Sequence, residues 1–209
     1  MKVLVLGATG GTGRLIISDA LEKGHSVVAL VRSKARAPDF PGASLIEGDA
    51  RDEGALMRAL ESCDAVVSSL GTGVSPFSKV SVLTEATRAL LSAMARSGVR
   101  RLICISALGV GDSRGHGGFV FDRLFQPLLL RHAYKDKGRQ EAVIRASSLD
   151  WVIVRPAMLT NDPARGSIRA TVDLAGVNGG KIARTDVARF VVEQLATNVW
   201  LKRTPVLLW

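Results

Sequence analysis

Gly7, Gly10 and Gly13 follow directly on an apolar run, Val3-Leu4-Val5-Leu6. They lead into a stretch whose apolar residues, Leu15, Ile16, Ala20 and Leu21, recur with a helical period. Strand, glycine turn and helix start, in that order, make a site for the pyrophosphate of a dinucleotide. One glycine permits the tight turn, another lets the backbone approach the phosphates, and the third lets helix pack on strand. The helix N-terminus then turns unpaired N–H groups toward the anion. Thr9, Gly11 and Thr12 complete the loop.

Other apolar runs end in residues suited to the same ligand. Val31 is followed by Arg32-Ser33-Lys34-Ala35-Arg36, which holds three cations, a hydroxyl and no acid. A dinucleotide site for NAD carries Asp or Glu at this point to hold the ribose 2′-hydroxyl, whereas Arg suits the 2′-phosphate of NADP. The expected cofactor is therefore NADPH rather than NADH, with Arg32, Ser33 and Arg36 at the 2′-phosphate and Arg14 as a further contributor. The bland alternative is a solvated basic loop. Asp49, in Glu47-Gly48-Asp49-Ala50, either accepts from the adenine amino group or caps the next helix. Leu70-Gly71-Thr72 offers small residues where the cofactor passes closely. Ser106 closes another apolar run, with its hydroxyl expected beside the nicotinamide and the substrate. Pro156 is expected to set its backbone against the nicotinamide amide.

Strands and helices must alternate to bring these segments together, and the patterning supplies them. Strands are expected at Val3–Leu6, Ser26–Val31, Ser44–Glu47, Ala65–Leu70, Leu102–Ser106 and Trp151–Val154, with an edge strand at Pro205–Trp209. Helices are expected from about Thr12 to Lys23, and at Glu53–Leu60, Val80–Ser97, Lys135–Ser147 and Thr185–Thr197. Gly98 is a stop signal for the longest of them. Such alternation predicts an α/β fold with a doubly wound parallel sheet, whose ligands bind beyond the carboxyl ends of the strands. A length of 209 residues suits one domain.

Composition narrows the function classes. The net charge of +9 invites nucleic acid as a partner, yet the basic residues are scattered, without long runs or interleaved aromatics. No apolar stretch is long enough to span a bilayer. Val3–Leu6 is too short for a signal peptide. The expectation is a cytoplasmic protein with a small-molecule partner, no nucleic acid and no membrane, as a monomer or homodimer. Cys63 and Cys104 provide neither a disulfide framework nor zinc spacing, and His25, His116 and His132 are too dispersed for a metal site. No Gly-x-Ser-x-Gly elbow of a hydrolase occurs.

The chain resembles the atypical short-chain dehydrogenases/reductases of the NAD(P)H-binding, NmrA-like group, and within it the flavin reductase / biliverdin-IXβ reductase type. The resemblance rests on Gly7–Gly13, Leu30–Ser33, Gly48-Asp49, Leu70-Gly71-Thr72 with Ser75-Pro76, Ser106-Ala107, Leu149-Asp150-Trp151 with Arg155-Pro156, and Thr185–Ala188. It implies a Rossmann-like domain with NADPH bound across the sheet edge. It also implies hydride transfer to a flat conjugated acceptor such as a flavin, quinone or bilin. A second reading is an NmrA-type sensor that binds the dinucleotide without turnover. A third is an epimerase or dehydratase of the sugar-nucleotide kind.

Proton donation is where the chain departs from relatives. Typical short-chain dehydrogenases pair Tyr with a Lys four residues on, and the lysine lowers the tyrosine pKa. Tyr134 is the only tyrosine, and Gly138 stands four residues after it. Lys137 is three residues on and four before Glu141, as in the helix of atypical members. It is a candidate for the cofactor ribose, or else half of an exposed pair with Glu141. Tyr134 remains a candidate general acid. Met158 stands where the flavin/biliverdin reductase type tends to place a histidine; it cannot donate a proton but suits an apolar wall. Two long segments, about 109–133 and 157–181, are expected to shape the substrate pocket, with Phe119 in its wall. The first reads equally as a packed helix or a dimer face.

Overall fold

The computed structural model describes residues 1–72 and 81–209. Strands β1 (Lys2–Leu6), β2 (Ser26–Val31), β3 (Ala43–Glu47), β4 (Ala65–Ser68), β5 (Arg101–Ile105), β6 (Asp150–Pro156), β8 (Arg169–Thr171) and β10 (Val206–Leu208) form one sheet. Its order is β3-β2-β1-β4-β5-β6-β10-β8, parallel throughout except for the last pairing. A second, two-stranded parallel sheet pairs β7 (Met158–Thr160) with β9 (Lys181–Ala183). The helices are α1 (Gly11–Glu22), α2 (Glu53–Ala59), α3 (Val82–Ser97), α4 (Arg131–Arg145) and α5 (Arg184–Glu193).

Alternation along single strands shows why the sheet is covered on both faces. Val3 and Val5 join the core beneath α1 and α5, together with Ile16, Ile17, Val187 and Val191. Leu4 and Leu6 point the other way, to Leu56, Leu90 and Met94 of α2 and α3. A period of two places neighbours on opposite faces, and both faces here are apolar, as a parallel sheet between helix layers requires. Gly98 ends α3 in a left-handed conformation, φ +76°.

The C-terminal half differs from expectation in three respects. β10 is an inner strand: β6 flanks it on one side and β8 on the other. The stretch 159–181 is not wholly irregular, because it contributes to β7, β8 and β9. Runs of three residues are too short for a period of two to be read. The helix expected from Lys135 starts at Arg131 and continues a π-helical segment, Phe121–Leu130. Pro127 lies inside that segment, and its missing N–H suits a wide turn better than a regular α-helical one. Ser75-Pro76 and Val80 lie outside the described residues.

Candidate functional site

One cleft of about 1520 Å³ runs along the carboxyl ends of the strands. At one end lies the glycine turn. Gly7 has φ +76°, and a Cβ built there would lie 2.5 Å from the Ser69 carbonyl oxygen. A Cβ on Gly13 would lie 2.2 Å from the Gly7 carbonyl oxygen. Both positions thus exclude any side chain: the first for conformation and space, the second so that α1 can pack against the turn. Helical bonding in α1 begins with the Arg14 N–H donating to the Gly10 carbonyl at 3.0 Å. The amides of Gly11, Thr12 and Gly13 therefore stand at an open helix start, which no side chain caps. Thr9, Gly10, Gly11 and Thr12 line the cleft beside them.

Arg32 also lines the cleft and is exposed, while Ser33 and Arg36 follow it on a short turn outside the lining. Asp49 and Ala50 line the same region. Asp49 does not cap the following helix. Asp52 does, its carboxylate accepting from the Gly54 N–H at 2.9 Å. The Asp49 carboxylate instead receives Arg51 from the backbone N–H, Nε and Nη2, at 2.8, 3.0 and 2.8 Å. Those bonds lower its pKa to about 2. Arg51 itself lines the cleft, a second cation next to Arg32 that the reading of strand ends passed over. Its local signal was the Asp-x-Arg spacing.

Leu70, Gly71, Thr72, Ser106 and Pro156 line the middle. Ser106 is buried, and its Oγ has no hydrogen-bond partner among the described residues. A buried hydroxyl without a partner is costly unless a ligand supplies one. Lys137 reaches the same point from α4, its Nζ donating to the Ser106 carbonyl at 3.4 Å. The exposed pair of Lys137 with Glu141 does not form. Burial lowers the Lys137 pKa, and Glu141 binds Arg155 instead, through bonds of 2.6 and 3.0 Å. Tyr134 is half-buried against Phe121, with ring centroids 5.7 Å apart. Burial, and then the Asp122 charge, push its pKa up to about 12. No lysine lowers it as the typical motif requires, so Tyr134 is a protonated phenol at neutral pH. Cys104, also nearby, is buried and pushed up to about 12 by that burial, which makes it an inert thiol.

The far wall is apolar and open. Phe119, Val120, Phe121, Phe125 and Leu130 line it from the first irregular segment, and Met158, Leu159 and Gly179 from the second. The two segments are joined: the Gly179 N–H donates to the His116 carbonyl at 2.7 Å, and His116 Nδ1 donates to the Val177 carbonyl at 2.9 Å. His116 is thereby a tie between loops. Arg165 and Arg169 point elsewhere. The first lies over the Trp209 ring at 4.0 Å, and the second stands on β8. Behind the wall, buried Arg155 binds Glu141 of α4 on one side and Asp112 on the other, the latter at 2.6 Å.

Arg184 was not foreseen. It opens α5, lines the cleft, and sets its Nε 3.1 Å from where a Gly11 Cβ would be. No local pattern links it to the glycine turn; the contact exists because α5 packs on α1. Among the described residues no group of three or more His, Cys, Asp or Glu is placed to hold a metal ion.

The residues present fit a dinucleotide: a turn with no room for Cβ atoms, an uncapped helix start, paired cations at the β2 and β3 ends, and a hydroxyl lacking a partner. Comparisons agree. Residues 7–198 match the family described as NAD(P)H-binding. YhfK of Bacillus subtilis, described as an uncharacterized sugar epimerase, is 30% identical over 201 residues, spanning 93% of this chain and 88% of its own length. Solved structures share the fold, two of them being informative here. ChuY, an anaerobilin reductase from Escherichia coli O157:H7, superposes with a TM-score of 0.85 at 23% identity, covering 100% of this chain and 97% of its own. A short-chain dehydrogenase/reductase from Veillonella parvula, solved with NADP, superposes with a TM-score of 0.81 at 20% identity, covering 100% and 94%.

Proposed function

This chain belongs to the NAD(P)H-binding family, within the atypical short-chain dehydrogenases/reductases, and from that premise we propose that it is an NADPH-dependent reductase of a planar, conjugated acceptor. The observation that carries the proposal is the continuity of the cleft. It leads from the glycine turn and Arg32, past the partnerless Ser106 hydroxyl, to the apolar wall of Phe119 and Met158.

In this reading the amides of Gly11, Thr12 and Gly13 hold the pyrophosphate, and Arg184 faces it from α5. Arg32 holds the 2′-phosphate, with Arg51 beside it; Ser33 and Arg36 contribute at longer range. Asp49 and Ala50 border the adenine. Leu70, Gly71 and Thr72 let the backbone of the cofactor pass. Lys137 meets the ribose hydroxyls, and Ser106 donates to or accepts from the nicotinamide amide or the acceptor. When bound, the nicotinamide supplies a hydride. Phe119 and Met158 hold a flat ring by contact and exclude water from it. Met158 has no proton to give, so solvent or the Tyr134 phenol supplies the proton of reduction.

A second reading, an NmrA-type sensor, is favoured by one observation: Tyr134 is held protonated, with no lysine lowering its pKa. The same observation disfavours an epimerase or dehydratase, which needs a readily ionised tyrosine, despite the name of the Bacillus relative. The test is NADPH oxidation by the purified chain with excess FMN or a soluble quinone, with NADPH fluorescence recording binding in the same sample. Turnover that Arg32→Glu removes for NADPH far more than for NADH supports the proposal. Binding without turnover on any acceptor favours the sensor. Equal losses with both cofactors overturn the role of Arg32.

A further inference from the structure

The segment Phe119–Leu130 carries six large apolar side chains in water: Phe119, Val120, Leu124, Phe125, Leu128 and Leu129. Beneath it lies a second cavity of about 550 Å³. Arg114, Arg131 and Lys135 line that cavity, with Asp122, Gln126 and Tyr134. The three cations are exposed, and none has an ion pair among the described residues. Arg123 joins them on the helix, stacked over the Phe119 ring at 5.5 Å. Asp122 is the one acid of the cavity and is half-buried.

We propose that this face docks on an anionic phospholipid surface. The Phe119–Leu130 segment beds among the acyl chains, and Arg114, Arg131 and Lys135 take a headgroup phosphate. An amphipathic segment with Phe and Leu on one side and Arg and Lys around it is the physical signature of interfacial binding, and anionic lipid attracts such cations additively. The alternative occupant, a second copy, meets an electrostatic objection. A twofold contact sets the same patch against itself. It would place Arg114, Arg123, Arg131 and Lys135 of one copy against the same four of the other. No helix among the described residues is long and apolar enough to cross a membrane, so the contact is peripheral. The proposal replaces the expectation of no membrane partner. Phe119, Val120 and Phe125 also line the mouth of the main cleft, so on the reductase reading a lipid-soluble acceptor reaches the site from the bilayer side.

The experiment is vesicle flotation of the full chain without cofactor, which keeps its outcome separate from that of the reductase test. Vesicles of phosphatidylcholine alone are compared with vesicles containing phosphatidylglycerol. Binding is expected at least about tenfold stronger to the anionic vesicles, weakening with salt. Leu128→Glu, and separately Arg131→Gln with Lys135→Gln, should each lower it at least about tenfold while NADPH fluorescence titration is unchanged. None of these residues lines the main cleft. Three results overturn the proposal. The first is no flotation, or equal flotation with neutral lipid. The second is a dimer by light scattering that Leu128→Glu dissolves, with no vesicle binding. The third is saturable binding of inorganic phosphate with no vesicle binding, which would make the cavity a site for a free anion.

Discussion

A methyl group added at Gly13 would sit 2.2 Å from the Gly7 carbonyl oxygen, whereas across the same cleft Phe119 and Met158 leave 74% and 67% of their surfaces in solvent. The two walls recognise by different means. The first works through the backbone: turn, helix start and strand ends hold one another at distances that leave no tolerance. The second works through side chains whose burial is incomplete until something lies against them. A wall of the first kind admits one ligand chemistry. A wall of the second kind, on the reductase reading, admits a class of flat, apolar molecules.

The open wall is nevertheless anchored from behind by a buried ion pair, and the largest expected effect lies there. Arg155, 1% exposed, bridges Glu141 of α4 and Asp112 of the loop after β5. Glu141→Ala strips a buried guanidinium of its bidentate partner. The expected loss of unfolding free energy is about 3 kcal/mol, at the low end for a broken buried pair because Asp112 remains. Urea unfolding measures it. Replacing both partners, Arg155→Met with Glu141→Leu, should cost much less, since a buried ion pair is often matched by apolar residues of similar volume. A single variant as stable as the parent would mean that apolar contacts alone hold α4, and the comparison between the walls would lose its anchor.

Gly13→Ala probes the other wall. Overpacking of this kind costs about 1–3 kcal/mol. The shift it forces in α1 should also weaken NADPH by about tenfold or more, since each 1.4 kcal/mol is a factor of ten. Phe119→Ala is its counterpart. The fold should change by no more than about 0.5 kcal/mol, as for an exposed side chain, while the KM for the acceptor rises and NADPH affinity stays. Equal sensitivity at Gly13 and Phe119 would break the distinction.

The same division decides what the sequence could say. The first wall was legible because its parts are adjacent in the chain: Gly7 to Gly13 is one turn, and Arg32 follows its strand directly. The strands through β6 were legible in the alternating apolar segments, whereas their order in the sheet comes from how they pair. What failed to show was made by distance. Arg184 meets Gly11 only because α5 packs on α1, and Glu141 is claimed by Arg155 rather than by its helical neighbour Lys137. Asp49 stays open between two roles in the sequence because two carboxylates, Asp49 and Asp52, precede α2, and only backbone geometry tells which one caps it. β7, β8 and β9 are held by partners rather than by their own pattern, so three-residue runs gave no local sign.

The smallest effect is expected at Tyr134, which packs against Phe121 of the open wall. Burial and the Asp122 charge hold its pKa at about 12. A raised pKa favours the neutral form, so the phenol stays protonated at all pH values below that, and it contributes no alkaline limb of its own to the rate. Lys137 is different. Burial lowers its pKa, so the charged form that would hold the ribose is lost as pH rises, earlier than for an ordinary lysine. NADPH affinity should therefore fall on the alkaline side, and Lys137→Met should flatten that fall. With solvent as the proton source, Tyr134→Phe should reduce turnover by no more than about threefold. Removal of a positioned general acid costs about 10²–10⁴-fold. A loss of that size in Tyr134→Phe, with NADPH affinity intact, would make the phenol the proton donor. The open wall would then be a catalytic surface, held as closely as the glycine turn opposite it.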